Sequence, residues 1–201
     1  MQKSSNCVFL RMIEIKGKVF IISAPSGAGK TTLVNALLAR YDCFAFSVSA
    51  TTRPPRAHEV HGQHYYFLEE ADFRKRIAEN AFLEYEEVYP GRFYGTLRTE
   101  VDRIMRMGYY PIFDVDVVGG LNIKEQFGDH AVSIFIQPPS KEVLKSRLQN
   151  RDTDSPEEIE RRYQKSAHEL TYASDYDIVV VNDKLEVAIA ELVDIVEAHL
   201  V

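Results

Sequence analysis

The sequence predicts an α/β fold with a central parallel sheet. Segments with the composition of buried strands alternate with segments of helical periodicity, and a glycine-containing loop joins the first strand to the first helix. No internal repeat or low-complexity tract suggests a solenoid or a linker. The chain has 201 residues. Since a domain typically has about 100 to 200 residues, we expect one domain.

The predicted strands are rich in β-branched and aromatic residues and are bounded by turn residues, as buried strands are. Segments with apolar residues at helical spacing lie between them, and a strand–helix–strand unit of this kind makes its two strands parallel. The predicted strands are 18–23, 110–115, 131–136 and 178–181, and the clearest predicted helices are 31–40, 141–151 and 185–199.

The region 49–96 departs from this alternation. Pro54 and Pro55 break any helix, aromatic residues cluster at 65–67, and a helical stretch near 72–79 interrupts short strand-like pieces. We interpret the region as an inserted subdomain.

The highly charged segment 151–165 is a second departure. Ser155, Pro156 and Glu158 have the spacing of an N-cap, a first-turn proline and a capping-box glutamate. This pattern predicts a short helical flap.

Composition narrows the class of protein. With 24 basic and 30 acidic side chains the net charge is −6, which argues against a nucleic-acid coat. Two cysteines, Cys7 and Cys43, are too few for a disulfide scaffold or a four-cysteine zinc site. The N-terminal apolar stretch ends at Arg11, and no run approaches the ~18 apolar residues of a membrane span. We therefore expect a cytoplasmic protein without membrane or nucleic-acid partners.

The segment 24–31, Ala-Pro-Ser-Gly-Ala-Gly-Lys-Thr, fits the phosphate-loop pattern. Gly27 and Gly29 allow successive backbone N–H groups to point inward, and the following helix presents its positive end. Lys30 can reach the terminal phosphates, and Thr31 can ligate Mg²⁺. Because the loop lies between a strand and a helix, it predicts a site for a nucleoside triphosphate.

A second group of residues predicts another phosphate site. Arg53 and Arg56 flank two prolines on an extended loop, where paired guanidinium groups suit a dianionic phosphate. Tyr65 and Tyr94 could each donate a hydrogen bond to the same phosphate, and Gly95 would allow close backbone approach.

Several polar residues could read a base beside that phosphate. Asp114 and Asp116 lie at i and i+2 where a predicted parallel strand ends, a place where α/β sheets bind ligands. Either could orient Mg²⁺ through water or contact a substrate. Glu84 could accept the N1–H and N2–H groups of guanine, with Ser49 or Thr96 reading O6. Adenine lacks that donor pair and would leave the carboxylate unpaired.

From about residue 17 to 201 the sequence resembles the guanylate kinase family, which transfers a phosphoryl group from ATP to GMP. The most specific stretch is 46–56, Phe-Ser-Val-Ser-Ala-Thr-Thr-Arg-Pro-Pro-Arg, followed at family-like spacing by Glu59, Gly62 and Tyr65. The resemblance implies a three-layer P-loop NTPase fold with a central parallel sheet, an inserted small α+β GMP-binding subdomain and a helical lid. It also implies Mg²⁺-dependent transfer of the γ-phosphoryl group to GMP or dGMP.

The resemblance also assigns site residues and boundaries. The implied ATP site comprises Ala24, Pro25, Ser26, Gly27, Ala28, Gly29, Lys30, Thr31, Thr32 and, near the adenine, Asn182. The implied GMP site comprises Ser49, Arg53, Arg56, Tyr65, Glu84, Tyr94, Gly95, Thr96, Asp114 and Asp116. Lys30 and Arg53 are implied to act in catalysis with the lid arginines Arg147, Arg151 and Arg162. The expected divisions are an extension at 1–16, a core at 17–48, 97–146 and 168–201, an insert at 49–96 and a lid at 147–167.

Two departures from the family pattern and several alternatives remain. Ala24 and His58 stand where the family usually has glycine, although neither change removes a charged group. His58, His61 and His64 recur every third residue, but without cysteine partners they make a weak zinc candidate.

The sequence leaves two other interpretations open: a protein-binding module of the same fold that has lost phosphoryl transfer, or a kinase with another acceptor. A monomer and a homodimer are equally compatible with the sequence.

Overall fold

The computed structural model describes residues 18–149 and 155–200. The strands are β1 Val19–Ser23, β2 Phe44–Phe46, β3 Ala50–Thr51, β4 Tyr66–Phe67, β5 Phe82–Tyr89, β6 Arg92–Leu97, β7 Tyr110–Asp114, β8 Ala131–Gln137 and β9 Ile178–Val181. The α-helices are α1 Lys30–Arg40, α2 Glu70–Ala78, α3 Arg98–Arg106, α4 Val117–Phe127, α5 Lys141–Gln149, α6 Pro156–Glu169 and α7 Leu185–His199. Short 3-10 helices lie at Gly128–His130 and Leu170–Asp175.

Five parallel strands form the main sheet in the order β2-β7-β1-β8-β9. Strand β1 lies at the centre, with Phe20 opposite Ile112 of β7 on one side and Val132 of β8 on the other. Residues 19–22 are 0% exposed, which explains why this strand is a continuous apolar run rather than an alternating one. The predicted central parallel sheet is confirmed.

Alternate residues of β1 bury opposite faces of the sheet. Phe20 and Ile22 pack in the core that contains the apolar residues of α1 and α7. Val19 and Ile21 pack in a separate core with the apolar residues of α3 and α4. Helices on both faces of the sheet give the predicted three-layer arrangement.

A second, mixed sheet has the order β4-β3-β6-β5. Strands β5 and β6 form an antiparallel hairpin, whereas β3 pairs parallel to β4 and antiparallel to β6. This sheet has its own core, in which Phe73 of α2 stacks on Phe82 at 4.3 Å and on Phe93 at 5.3 Å between ring centroids. The predicted small α+β unit is therefore present, and its strands run from residue 50 to residue 97.

Most predicted elements agree with the structure. The predicted strands coincide with β1, β7, β8 and β9 to within a residue at each end, and the predicted capping box is present at the start of α6. The predicted helix 141–151 is observed as Lys141–Gln149, and its last two positions lie outside the described residues. Strand β2, a three-residue edge strand, was not predicted.

The close approach of α4 to β1 depends on Gly120. A methyl group there would collide with the hydroxyl oxygen of Tyr176 and lie 2.5 Å from Oγ of Ser23. We expect Gly120→Ala to lower the free energy of unfolding by about 1–3 kcal/mol, the usual cost of overpacking, despite alanine's higher helix propensity. Urea denaturation measures this change.

Combining Gly120→Ala with Tyr176→Phe removes one of the colliding atoms. The double variant should lose less stability than the sum of the two single variants. If Gly120→Ala is as stable as the unaltered protein, the packing explanation for this glycine is wrong.

Candidate functional site

The loop between β1 and α1 has the geometry of a phosphate cradle. Gly27 and Gly29 have φ of 89° and 92°, and Gly29 immediately precedes α1. A side chain at position 29 would also collide with the amide of Asn182. These two positions therefore require glycine, and they turn the loop so that its backbone faces the N-terminus of the helix.

The two departures from the family pattern cause no backbone strain. Among the residues that the structure describes, Asn80 is the only non-glycine residue with positive φ. Ala24 and His58 therefore lie in conformations open to any residue, and glycine is not required at either position.

Lys30 lies at the carboxyl edge of the main sheet. Its Nζ forms an ion pair with Asp114 and donates a 2.8 Å hydrogen bond to the carbonyl of Val115. Thr31 and Thr32 are exposed on the first turn of α1. The predicted lysine, threonine and aspartate therefore lie together beside the phosphate loop.

Two side chains bond carbonyls of the phosphate loop, and one of them is bonded in turn by an arginine of α5. The amide of Asn182, which is 5% exposed, donates to the carbonyl of Ala28 at 2.8 Å. The carbonyl of Asn182 accepts a 3.0 Å hydrogen bond from Arg147 of α5. Oγ of Ser166 of α6 donates to the carbonyl of Ser26 at 3.3 Å. In this structure the side chain of Asn182 supports the loop, and the expectation that it lies near adenine stays a prediction.

A cleft of about 400 Å³ lies in front of this loop. Arg162, Lys165 and Glu169 of α6 line it together with Asp114 and the phosphate loop. The predicted Arg162 therefore lies at the cleft. Arg147 lies on α5 in contact with Asn182, and the predicted Arg151 lies outside the described residues.

The second predicted phosphate site is centred on Arg53. Its guanidinium group forms two hydrogen bonds with the carboxylate of Glu59, at 2.8 and 2.9 Å, and a third with the carbonyl of Pro54 at 2.7 Å. The backbone N–H of Arg56 donates to the same carboxylate at 2.7 Å. Hydrogen bonds from Arg53 and from the backbone of Arg56 lower the pKa of Glu59 to about 2.

Both predicted tyrosines lie beside Arg53. The guanidinium carbon is 5.5 Å from the ring centroid of Tyr65, whose own ring is 6.0 Å from that of Tyr94. Tyr94 is also within hydrogen-bonding reach of Arg53. Burial raises the pKa of Tyr65, and the charge of Asp114 adds to that rise. Tyr65 therefore keeps its proton and can act as a hydrogen-bond donor.

Glu84 of β5 is a buried carboxyl group, 8% exposed. It accepts a 2.6 Å hydrogen bond from the hydroxyl of Thr96 on β6. Burial raises its pKa to about 7, against the lowering effect of the Thr96 hydrogen bond. Ser49 precedes β3 and is partly exposed, with its carbonyl accepting the N–H of Tyr66 at 2.9 Å.

Gly95 has a packing role in this sheet. A Cβ there would lie 2.7 Å from the carbonyl oxygen of Glu84 and 2.9 Å from Cβ of Tyr85. The close pairing of β5 with β6 thus accounts for this glycine. The expected approach of a ligand to its backbone stays a prediction.

Asp116 connects the two sheets of the molecule. Its Oδ1 accepts the N–H of Gly119 at 2.8 Å and so caps α4. A Cβ added at Gly119 would lie 3.1 Å from Oε2 of Glu84, so the two carboxyl groups border the same helix terminus. Burial and a hydrogen bond to Asp116 raise the pKa of Glu86.

Sequence reasoning missed two acidic residues, one that lines the cleft and one that contacts Asp116 beside it. Glu86 lies two positions after Glu84 on β5 and therefore shares its face, a signal that strand alternation could have supplied. Glu169 is 14% exposed on α6, where it forms an ion pair with Lys165 and accepts a hydrogen bond from the backbone of Ser26. No local pattern indicates that contact, because it joins residues far apart in the chain.

Comparison with known proteins decides the family. The model of the family described as "Guanylate kinase" matches residues 16–199. The chain belongs to the guanylate kinase family. It is 51% identical over 187 residues to the guanylate kinase of Bacteroides thetaiotaomicron, covering 93% of this chain and 92% of that protein. It is 48% identical over 183 residues to that of Neisseria gonorrhoeae, covering 91% and 88% respectively.

A solved structure of the family has the same fold. The crystal structure of guanylate kinase from Anaplasma phagocytophilum is 29% identical and gives a TM-score of 0.70, covering 92% of this chain and 86% of that one. In the part of the chain that the structure describes, no helix combines the length and apolarity of a membrane span.

The raised pKa of Glu84 makes stability depend on pH. Between its unfolded pKa near 4.5 and its folded pKa of about 7, the folded protein keeps a proton on Glu84 that the unfolded chain releases. This contribution to stability is therefore lost as pH rises towards 7 and above. Glu84→Gln stays neutral at every pH. Without nucleotide, its free energy of unfolding relative to that of the unaltered protein should therefore rise by up to about 3 kcal/mol from pH 5 to pH 8.

Urea denaturation at pH 5, 6, 7 and 8 tests this dependence. Glu125→Gln, which neutralises an exposed carboxylate on α4, is the matched control and should follow the unaltered protein at every pH. A constant difference between Glu84→Gln and the unaltered protein across the series would show that Glu84 is not held protonated by burial.

Proposed function

We propose that this protein transfers the γ-phosphoryl group of ATP to GMP or dGMP, with the phosphate loop binding ATP and the loop that carries Arg53 and Arg56 binding the acceptor. The main support is the position of Asp114 between the two loops. It pairs with Lys30 of the phosphate loop, and its charge acts on Tyr65 beside Arg53. Two predicted anion-binding loops that both approach Asp114 suit a reaction between two phosphate groups.

This reaction requires no general base. The attacking oxygen belongs to a phosphate that is largely ionised at neutral pH, so catalysis depends on positioning and charge neutralisation. Lys30, Arg147, Arg151 and Arg162 would stabilise the charge on the transferring group. Arg53 would join Arg56 in holding the acceptor phosphate in line.

The buried pair of Glu84 and Thr96 favours guanine. Once ionised, Glu84 can accept the N1–H and N2–H groups of guanine, and those bonds compensate the charge that burial disfavours. Thr96 already donates its hydroxyl proton to Glu84, which leaves Ser49 as the better donor to O6. Adenine lacks both donors and would leave a buried carboxyl group unpaired.

The cleft offers oxygen ligands of the kind that Mg²⁺ prefers. The exposed hydroxyl of Thr31 would bind the ion directly, and Asp116 would bind it through water, since one of its carboxylate oxygens already caps α4. When bound with the nucleotide, Mg²⁺ neutralises charge on the phosphate oxygens. The chain supplies few ligands itself, consistent with an ion that also binds water and substrate phosphates.

Closure of the lid would exclude water from the reacting phosphates. Helix α6 already contacts the phosphate loop through Ser166, so a small movement could bring Arg162 over a bound nucleotide. Water left beside the phosphoryl group would favour ATP hydrolysis over transfer. We further propose that the enzyme acts in the cytoplasm as a monomer or homodimer, with nucleotides rather than nucleic acids or membranes as its partners.

Acceptor specificity tests the function directly. A coupled assay with ATP and Mg²⁺ should show turnover of GMP and dGMP and little turnover of AMP, CMP or UMP, because only the guanine acceptors satisfy Glu84. Turnover of none of them would favour a protein-binding module, and a preference for AMP would contradict the role of Glu84.

Replacement of Lys30 should separate chemistry from acceptor binding. We expect Lys30→Ala to lower kcat by at least about 10²-fold, as loss of one preorganised charge-stabilising donor does, while the Kd for GMP changes little. Steady-state kinetics and calorimetry measure the two effects. Lys75→Ala, at an exposed lysine on α2, is the control, and equal losses of turnover and GMP affinity would contradict the assignment of two sites.

A further inference from the structure

The carboxylate of Glu59 is enclosed by the groups that are proposed to bind the acceptor phosphate. Its side chain is only 6% exposed although it lies on a surface loop. It accepts hydrogen bonds from Nη1 and Nη2 of Arg53 and from the backbone N–H of Arg56. Glu59 thus joins the side chain of one proposed phosphate-binding arginine to the backbone of the other.

These bonds use one end of the Arg53 guanidinium group. A guanidinium has five N–H groups in a fixed plane. Nη1 uses both of its own on Glu59 and the carbonyl of Pro54, and Nη2 uses one on Glu59. The second N–H of Nη2 and the N–H of Nε take no part in these bonds, and they lie on one edge with the spacing that suits bidentate binding of a phosphate. The hydroxyl of Tyr94, itself a predicted phosphate ligand, is within hydrogen-bonding reach of Arg53.

Aromatic rings also restrict the plane of this group. The guanidinium carbon lies 5.5 Å from the ring centroid of Tyr65 and 5.9 Å from that of Phe67. With its end held by Glu59 and its face packed against these rings, Arg53 has little freedom to turn its remaining edge.

We propose that Glu59 is a positioning residue for the acceptor phosphate: it holds the end of the Arg53 guanidinium so that the free edge meets the phosphate of GMP. This inference rests on the proposed role of Arg53 in binding GMP and adds a residue for which that proposal has no role. Because its pKa is about 2, Glu59 remains a carboxylate throughout the range in which the enzyme would work.

The opposite role is that Glu59 competes with the phosphate for Arg53. In that case its removal would tighten GMP binding. The geometry argues against competition, because the carboxylate bonds the end of the guanidinium and leaves the side edge for a second anion. Removing Glu59 would also relieve its repulsion of the dianionic phosphate, which strengthens GMP binding. Salt screens that repulsion. Salt does not restore the orientation of Arg53, so the loss of orientation remains at high salt.

Glu59→Gln tests the proposal, because an amide cannot accept two hydrogen bonds from Arg53 and one from Arg56. We expect the variant to bind GMP about tenfold or more weakly by calorimetry, within the range that a misplaced binding group costs. The loss should be larger at high salt. Guanosine, which lacks the phosphate, should bind equally to both proteins, and in an Arg53→Ala background at high salt Glu59→Gln should cause a much smaller further loss of GMP affinity.

Two further variants make the result decisive. Glu70→Gln removes a carboxylate that pairs with Arg74 on the exposed face of α2, and it should leave GMP binding unchanged. If Glu59→Gln does not fold, Glu59→Asp keeps the charge but is one methylene shorter, and it should weaken binding of GMP but not of guanosine.

The outcomes separate this inference from the proposed function. If Arg53→Ala weakens GMP binding but Glu59→Gln does not, the positioning role is wrong and the function stands. Tighter GMP binding by Glu59→Gln would establish competition instead, and equal losses for GMP and guanosine would establish a general structural role. If the unaltered protein neither binds nor phosphorylates GMP, the proposed function fails and the inference fails with it.

Discussion

The position of β1 between β7 and β8 determines where the reacting groups can lie. Because the three strands are parallel, their carboxyl ends meet at one edge of the sheet, the edge at which open α/β sheets bind ligands. The phosphate loop leaves β1 at this edge, and Asp114 and Asp116 leave β7 beside it. The ion pair between Lys30 and Asp114 follows from that register and joins the phosphate loop to the neighbouring strand.

Three cations of the candidate site pair with carboxylates of the protein itself. Lys30 pairs with Asp114, Arg53 pairs with Glu59, and Lys165 pairs with Glu169. Each pair reduces the repulsion among positive groups, and the two partly buried pairs, of Lys30 and Arg53, also restrict the orientation of the cation. Such preorganisation is what phosphoryl transfer requires, because the protein contributes position and charge rather than covalent chemistry.

The parts of the fold that the sequence could predict are those set by local patterns. The continuous apolar run of β1, the glycines of the phosphate loop and the capping box of α6 can each be recognised within a few residues. Strand β2 could not, because a three-residue edge strand is specified by its pairing with β7 rather than by its own composition. Glu84 was predicted as a base reader, but its burial depends on α4, which is distant in the chain.

The support of the phosphate loop limits how the lid can act. Arg147 donates to the carbonyl of Asn182, whose amide in turn holds the carbonyl of Ala28. The bond to Asn182 uses one of the five N–H groups of the Arg147 guanidinium, so a contact between Arg147 and the transferring phosphoryl group would be made by its other N–H groups. Ser166 instead links α6 directly to the carbonyl of Ser26, and Arg162 lies one helical turn before it. Arg162 can therefore follow a rotation of α6 while that link holds, whereas Arg147 is tied to the support of the phosphate loop through Asn182.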